Sequence, residues 1–261
     1  MNCGRSSSNL PSAEDSPWIL SNSVSVSMTK KNTIWNRLLD TILPRHCSIC
    51  DSRLGFDEKA ICGSCATRLP RTHYELTADY NPMTVLFQGI VPIEKAVAFV
   101  HFNPHNASAR LIYAIKYYRH PDYAMAMGEI MAKELLSSGF FNDIDAIVPV
   151  PLSRRRLHQR GYNQSEYLAR GVSKITSIPV ITKALRRKHF LQSQTMLGHT
   201  ERQKNVENMF VLRDASALSD RHILLIDDIC TTGATAMACI QEMQVAKNIR
   251  FSILTLGLTD H

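Results

Sequence analysis

The residues best suited to chemistry lie in one short segment of the chain. Four apolar residues, 223–226, are followed by Asp227 and Asp228, and a Thr/Gly loop at 231–235 then opens a helical pattern. Open parallel sheets bind ligands beyond the carboxyl ends of their strands. Small residues at a helix N-terminus suit a phosphate, whereas two adjacent carboxylates suit the vicinal hydroxyls of a sugar. The order of acids and loop predicts a ribose site followed by a 5-phosphate site. A P-loop is excluded because its lysine-containing motif is absent.

A second candidate anion site follows an apolar strand pattern at 144–150. Pro149 and Pro151 interrupt the strand, so a loop is expected there. Four arginines within seven residues repel one another unless an anion lies among them, and guanidinium groups suit the oxygens of pyrophosphate. A solvated basic turn and a nucleic-acid patch are the alternatives. The residues concerned are Arg154, Arg155, Arg156 and Arg160.

The cysteines form a third candidate site. Cys47-x-x-Cys50 and Cys62-x-x-Cys65 lie 11 residues apart, and two such pairs can complete a tetrahedral thiolate cage. We expect a structural Zn²⁺ there, with no open position for catalysis. Reduced structural cysteines and a redox pair are the alternatives. The segment has few large apolar residues, so it needs another source of stability. His46 and His73 are expected on the surface.

Alternating strand and helix patterns must position these residues. Strands are predicted at 90–103, 144–150, 180–181, 222–226 and 250–256, and helices at 107–118, 122–138, 163–175 and 234–245. Because several of the strands are apolar throughout, the pattern predicts an α/β fold, with a parallel sheet covered by helices on both faces. The small cysteine module precedes it in the chain.

The N-terminal segment differs in composition from the rest. Residues 1–30 are rich in Ser and Asn and are predicted to be disordered, and Met28 could be the true start. Residues 33–43 have the period of an amphipathic helix, which Pro44 ends. The predicted domains are therefore a disordered segment at 1–30, the helix and zinc module at 31–80, and the α/β domain at 81–261.

Bulk composition narrows the class of protein. The net charge of +7 favours anionic partners. No apolar run approaches the roughly 18 residues that span a bilayer, so no stable membrane insertion is expected. Seven cysteines, four of them in two pairs, favour a reducing cytoplasmic location over a secreted disulfide framework.

Residues 223–235 resemble the phosphoribosyl-pyrophosphate signature of type I phosphoribosyltransferases. The resemblance implies a type I phosphoribosyltransferase-like sheet in which Asp227 and Asp228 hold the ribose 2- and 3-hydroxyls. Cys230 stands where that family usually has an aliphatic residue. The residues implied to surround the 5-phosphate are Thr231, Thr232, Gly233, Ala234 and Thr235.

Further motifs resemble the ComF family of bacterial proteins, which is associated with DNA uptake by competent cells. These are P-V-P-L at 149–152, R-G-Y-N-Q at 160–164, D-D-x-x-T-T-G-A-T at 227–235 and the paired C-x-x-C. The similarity covers about residues 33–258. Tyr162 replaces a more usual Phe, and Asn208 stands where many relatives have Gly.

The same resemblance adds candidate ligand contacts. Pro151 and Leu152 are implied to line the pyrophosphate site. Lys116 lies on a helical pattern, and two interpretations of it remain: it binds phosphate, or it is simply exposed to solvent. The polar stretch 187–204 resembles a lid that carries Arg202, with a spacer of no role as the alternative.

The predicted function is binding of 5-phosphoribosyl 1-pyrophosphate, with Mg²⁺ on its pyrophosphate. Transfer of the phosphoribosyl group to an unidentified acceptor would release pyrophosphate. The alternative is a single-stranded DNA-binding or DNA-uptake accessory protein of the competence machinery, against which we count an aromatic content of 7%. A regulator that senses the sugar phosphate without turnover is a third reading.

Overall fold

The computed structural model describes residues 44–188 and 209–259. The predicted disorder at 1–30, the helix at 33–43 and Arg202 all lie outside these residues, as does the predicted lid beyond residue 188. None of the helices within the described ranges is long and apolar enough to cross a membrane.

Helices and strands alternate along most of the described chain. The helices are α1 Gly63–Arg68, α2 Pro82–Val85, α3 Ala107–Tyr117, α4 Pro121–Leu135, α5 Arg154–Arg160, α6 Gln164–Thr176 and α7 Ala234–Met243. Short 3-10 turns lie at Tyr74–Thr77 and Leu136–Ser138. The strands are β1 Lys95–Phe102, β2 Ala146–Pro149, β3 Leu185–Arg187, β4 Phe210–Leu212, β5 His222–Cys230 and β6 Arg250–Thr259.

Four of these strands form a parallel sheet in the order β1-β6-β5-β2. The carboxyl ends of β5 and its neighbours therefore lie at one edge, where the candidate residues follow. The strand predicted at 180–181 is reduced to a single parallel bridge between Val180 and Ile147. A separate antiparallel hairpin, β3 with β4, was not predicted.

Both faces of the sheet are buried, which explains the apolar run in β5. Leu224 and Ile226 contribute to the cluster under α3, α4 and α6. Ile223 and Leu225 contribute to the opposite cluster, under α2, α7 and the hairpin. The predicted fold class, a parallel sheet with helices on both faces, is confirmed.

A loop follows the prolines at residues 150–153, as predicted, but the arginine-rich segment after it forms a helix that was not predicted. The Ser153 hydroxyl accepts a hydrogen bond from the Arg156 backbone N–H, which caps the first turn of α5. The helix ends at Gly161, whose φ of 81° suits glycine. The prolines stop β2 as expected, but a capping serine follows them and starts a new element.

The two helices α4 and α6 cross with their backbones in contact. A Cβ atom added to Gly128 would lie 2.1 Å from the Leu168 carbonyl oxygen, and one added to Gly171 would lie 2.1 Å from the Met125 carbonyl oxygen. This close crossing fixes α6, whose N-terminus lies beside the end of β5.

Candidate functional site

Asp228, at the end of β5, faces two cations. Its Oδ2 atom lies 3.3 Å from Lys116 Nζ and 3.7 Å from Arg160 Nη1. The three side chains are only 11–14% exposed. The reading of Lys116 as an exposed residue is therefore wrong, while its predicted role in binding phosphate stays a prediction.

The connection between α5 and α6 holds these cations in place. Arg160 Nη1 donates to Gln164 Oε1 at 2.8 Å, at the start of α6. The buried Tyr162 hydroxyl donates to the carbonyl oxygen of Ile115 and lies 3.3 Å from that of His120. Burial raises the pKa of Tyr162. The hydroxyl that distinguishes Tyr162 from Phe thus fixes the end of α3, next to Lys116.

Asp227 is held differently from its neighbour. Its Oδ1 atom accepts hydrogen bonds from the Ser165 hydroxyl and from the Asp228 backbone N–H, both at 2.8 Å. Burial of the carboxyl group, and then the charge of Asp228, raise its pKa to about 7. Ser165 was missed by the sequence analysis, although it directly follows the R-G-Y-N-Q motif.

The Thr/Gly loop shares a pocket with Asp227, the first acid of the pair. Asp227, residues 229–236 and Thr255 line it. Gly233 adopts a φ of 76° at the N-terminus of α7, and a Cβ atom there would lie 3.1 Å from the Phe87 ring. Glycine is required on both counts. Burial raises the pKa of Cys230 to about 12, as expected of a thiol in the core.

The second predicted anion site is only partly assembled. Pro151 and Leu152 are half-buried after β2, whereas Arg154 and Arg156 are exposed on α5. Asn163 occupies the N-cap position of α6, but its side chain donates to the Val150 carbonyl oxygen at 3.1 Å and makes no cap hydrogen bond. Within the described ranges, Arg160 is the member of the arginine group that reaches the acid pair.

The four cysteines lie together in a geometry that suits a metal. Their sulfur atoms are all within 4.8 Å of one another, and Cys50 Sγ lies 3.7 Å from Cys62 Sγ. A tetrahedral zinc thiolate site, with Zn–S bonds of about 2.3 Å, requires sulfur separations of about 3.8 Å. The Cys62 backbone N–H also donates to Cys47 Sγ at 3.3 Å. The four residues therefore fit a metal that thiolates bind.

A glutamate that the sequence analysis missed joins the segment between the cysteine pairs to the second pair. The Glu58 carboxylate accepts from the backbone N–H groups of Gly55 and Gly63, at 2.7 and 2.6 Å. These hydrogen bonds lower its pKa. Arg45 donates to the Glu58 carbonyl oxygen at 2.8 Å. A single polar residue between two motifs gave no sequence signal for this role.

The cysteine segment is richer in buried apolar residues than expected. Ile49, Leu54, Ile61 and Leu69 are buried and belong to the cluster that covers α3 and α4. Polar contacts also join the two regions, since Arg110 Nη1 donates to the Ile49 carbonyl oxygen at 3.2 Å. The expectation that this segment lacks apolar support is therefore wrong. His46 and His73 are exposed and lie outside the cysteine cluster, as predicted.

Comparison with known proteins finds relatives, but no family model matches the chain. Over 198 residues the chain is 30% identical to the DNA utilization protein YhgH of Escherichia coli K12, and the aligned region covers 75% of this chain and 82% of that protein. Over 106 residues it is 36% identical to the competence protein ComFC of Bacillus subtilis, covering 40% of this chain and 41% of that protein. A solved adenine phosphoribosyltransferase is 15% identical and covers 55% of this chain and 74% of its own, with a TM-score of 0.37.

Proposed function

The chain belongs to the ComF family, and from this premise we propose that it is a phosphoribosyltransferase-like protein that binds 5-phosphoribosyl 1-pyrophosphate together with Mg²⁺. One observation carries the proposal: at the end of β5, Asp228 faces Lys116 and Arg160, while the adjacent Asp227 lines a pocket with the Thr/Gly loop. The two neighbouring acids thus support a site that would bind hydroxyls, a monophosphate and a second anion.

Each part of the ligand has a chemical partner in this arrangement. Asp227 and Asp228 would accept hydrogen bonds from the ribose hydroxyls. The backbone N–H groups and hydroxyls of residues 231–235 would bind the 5-phosphate at the N-terminus of α7. Lys116 and Arg160, which neutralise Asp228 in the free protein, would turn to the pyrophosphate.

The residues of the chain would act by positioning and by electrostatics. As an acceptor attacks the anomeric carbon, the bond from that carbon to the pyrophosphate oxygen breaks and the leaving group takes the electron pair. Lys116 and Arg160 would stabilise the charge on the leaving group, and the two carboxylates would face the electron-poor ribose. Mg²⁺ would supply further neutralisation of the pyrophosphate oxygens when bound.

Calorimetry with the Mg²⁺ salt of the ligand tests the site. The substitutions Asp227→Asn and Asp228→Asn together should weaken binding about a hundredfold or more, because hydrogen bonds to charged groups contribute about 1.5–3 kcal/mol each. Asp79→Asn is the control and should bind like the wild type, because it alters an exposed acid just after the 3-10 turn Tyr74–Thr77. A wild-type protein that does not bind the ligand would overturn the proposal.

A screen for pyrophosphate release against nitrogenous acceptors tests turnover. Release with one acceptor, lost in the double aspartate variant, would make the protein a transferase. Tight binding without release from any acceptor would favour the sensor reading.

Single-stranded DNA binding is the second candidate function, and one surface favours it. Tyr113, Tyr117 and Tyr118 at the end of α3 are 43–65% exposed. Arg110 and Tyr118 line a groove between α3 and the cysteine segment. Exposed aromatic rings beside cations are what base stacking requires. The low overall aromatic content is therefore a weaker objection than the sequence analysis assumed, because the rings are concentrated on one surface.

Titration with a deoxythymidine oligonucleotide at two salt concentrations tests this candidate. Tyr113→Ala with Tyr118→Ala should weaken binding about tenfold or more and leave the sugar-phosphate ligand unaffected. The affinity should fall as salt rises. If the tyrosine variant binds DNA like the wild type, this surface is not the site.

We also propose that the four cysteines hold a structural Zn²⁺. One equivalent should stay with the purified protein through dialysis and be lost in Cys62→Ser with Cys65→Ser. We propose the cytoplasm as the location, because thiolates must stay reduced to hold the metal.

A further inference from the structure

The hairpin of β3 and β4 carries a cation that the proposed site does not yet use. Leu185 and Arg187 lie on the same side of β3, and Leu185 is buried in the cluster under α7. Arg187 is half-buried. Its side chain therefore points toward the face of the sheet on which the Thr/Gly loop begins α7.

The contacts of the Arg187 guanidinium are weak for a partly buried charge. Nη2 donates to Met209 Sδ at 3.3 Å, and Cζ lies 5.4 Å from the centre of the Phe210 ring. Within residues 44–188 and 209–259, no carboxylate lies within ion-pair distance of it. A thioether and a ring face compensate poorly for the lost hydration of a cation.

The packing of the hairpin places Arg187 near the candidate site. Leu212, at the far end of β4, donates its backbone N–H to Glu242 Oε1 at 3.0 Å near the C-terminus of α7, whereas Phe210, opposite Arg187, is buried in one cluster with Cys230 at the end of β5.

Burial, and then the positive charge of Arg156, lower the pKa of Arg187, while Asp227 and Cys239 act in the opposite direction. Burial, and then the charge of Asp227, raise the pKa of the Cys239 thiol on α7, while the charge of Arg187 acts in the opposite direction. The positive charges of Arg156 and Arg187, which lie on different elements, therefore repel each other, while the charge of Asp227 attracts Arg187. An anion between the two arginines would remove the repulsion.

We propose that Arg187 is a further ligand-binding residue, which holds the pyrophosphate group together with Arg156. The inference deepens the proposed function and rests on it. The site would then draw cations from three places in the fold: Lys116 on α3, Arg156 and Arg160 on α5, and Arg187 on β3. This gives the exposed arginines of α5 a partner across the site.

The substitution Arg187→Met tests the inference, because methionine is unbranched and suits an apolar contact with Phe210. Arg186→Met is the matched control, since Arg186 lies on the opposite side of β3. Calorimetry with Mg²⁺-pyrophosphate should show binding about tenfold or more weaker in Arg187→Met and unchanged in Arg186→Met. The Tm of Arg187→Met should equal or exceed that of the wild type, because removing a partly buried cation without an acidic partner relieves a desolvation cost.

The outcomes separate the inference from the proposed function. Wild-type affinity for Mg²⁺-pyrophosphate in Arg187→Met would overturn the inference alone. A lower Tm at unchanged affinity would assign Arg187 a structural role. If the wild type binds neither Mg²⁺-pyrophosphate nor the full sugar-phosphate ligand, the proposed function fails and the inference fails with it. Arg187→Gln serves as a second neutral variant if the methionine protein does not fold, and the same loss of affinity is expected.

Because nucleic-acid phosphates share this chemistry, the same variants should be titrated with the deoxythymidine oligonucleotide. Loss of oligonucleotide binding with unchanged binding of Mg²⁺-pyrophosphate would overturn the assignment to pyrophosphate. Loss of Mg²⁺-pyrophosphate binding with unchanged oligonucleotide binding would support it.

Discussion

Two acid clusters of this molecule have the same composition, one carboxylate and two cations, but they differ in geometry. In the Glu129 cluster, Lys59 Nζ lies 2.8 Å from one carboxylate oxygen and Lys174 Nζ lies 2.8 Å from the other. Both lysines are at least half exposed, so they keep water around them. This cluster is closed, because each oxygen has its own close partner.

In the Asp228 cluster, both cations approach the same oxygen. The distances are 3.3 Å from Lys116 and 3.7 Å from Arg160, and all three side chains are largely buried. The adjacent Asp227 adds a second carboxyl group whose pKa is raised. These contacts are too long and too buried to stabilise the fold well. The first cluster is therefore suited to stabilising the structure, whereas the second has the geometry that the proposed ligand site requires.

The largest effect is expected from a substitution in α4, the helix that carries Glu129. Gly128→Ala would place a methyl group 2.1 Å from the Leu168 carbonyl oxygen and force α4 away from α6. Because backbone must move, we expect a loss of about 3 kcal/mol or more in the free energy of unfolding, measured with urea.

The control for this substitution is Gly63→Ala, where the nearest atom to an added Cβ is a Glu58 side-chain oxygen at 3.5 Å. It should stay within about 0.5 kcal/mol of the wild type. Equal stability of Gly128→Ala and the wild type would contradict the close crossing.

The two clusters should also differ in the sign of their pH dependence. Burial opposes ionisation of Glu129, but hydrogen bonds from Lys174 and Lys59 hold its pKa below the usual range. Its stabilising contribution is therefore present above the unfolded-state pKa and is lost as the pH falls through the folded-state pKa. Asp227 has the opposite sign. Its folded-state pKa of about 7 means that stability falls as the pH rises from about 4 to 7.

Urea unfolding at several pH values checks these signs. Glu129→Gln should be less stable than the wild type at pH 7 and approach it in acid, as the pH falls through the lowered pKa of the wild-type carboxylate. Asp227→Asn should gain on the wild type between pH 5 and pH 7.5. Parallel curves for the two variants would remove the distinction between the clusters.

The smallest expected effect compares one cation from each cluster. Lys174→Met removes a half-exposed partner of Glu129 and should cost about 0.5 kcal/mol of stability. Lys116→Met should change stability by no more than that, because Arg160 still faces Asp228. Only Lys116→Met should weaken binding of the Mg²⁺ sugar-phosphate ligand. If both variants bind equally well, Lys116 is not part of the site.

The sequence was most informative where a local pattern determines the structure. The apolar run 223–226 predicted the start and centre of β5, although the strand continues through the two acids to Cys230, and the helix predicted at 163–175 is observed at Gln164–Thr176. In both places the period and the turn residues lie within a few positions of one another, so no distant contact was needed to interpret them.

What the sequence could not show depends on partners far along the chain. Ser165 and Asp227 are 62 positions apart. The strands β3 and β4 have three residues each and are paired across a long separation, so neither has a recognisable period. The exposure of Lys116 was undecidable for the same reason, since its surroundings are set by the segment around Tyr162, whose hydroxyl contacts the Ile115 carbonyl oxygen. The domain boundary near residue 80 stays a prediction.

The apolar residues of the cysteine segment determine how the protein should unfold. Ile61 and Leu69 pack in one cluster with Leu111 of α3 and Met127 of α4. If this segment unfolded, the apolar face of α3, the helix that carries Lys116, would be exposed to water. Heat and metal chelation should therefore act on a single cooperative melting unit, and the thiolate cage would help to keep a distant ligand pocket in shape without touching any ligand.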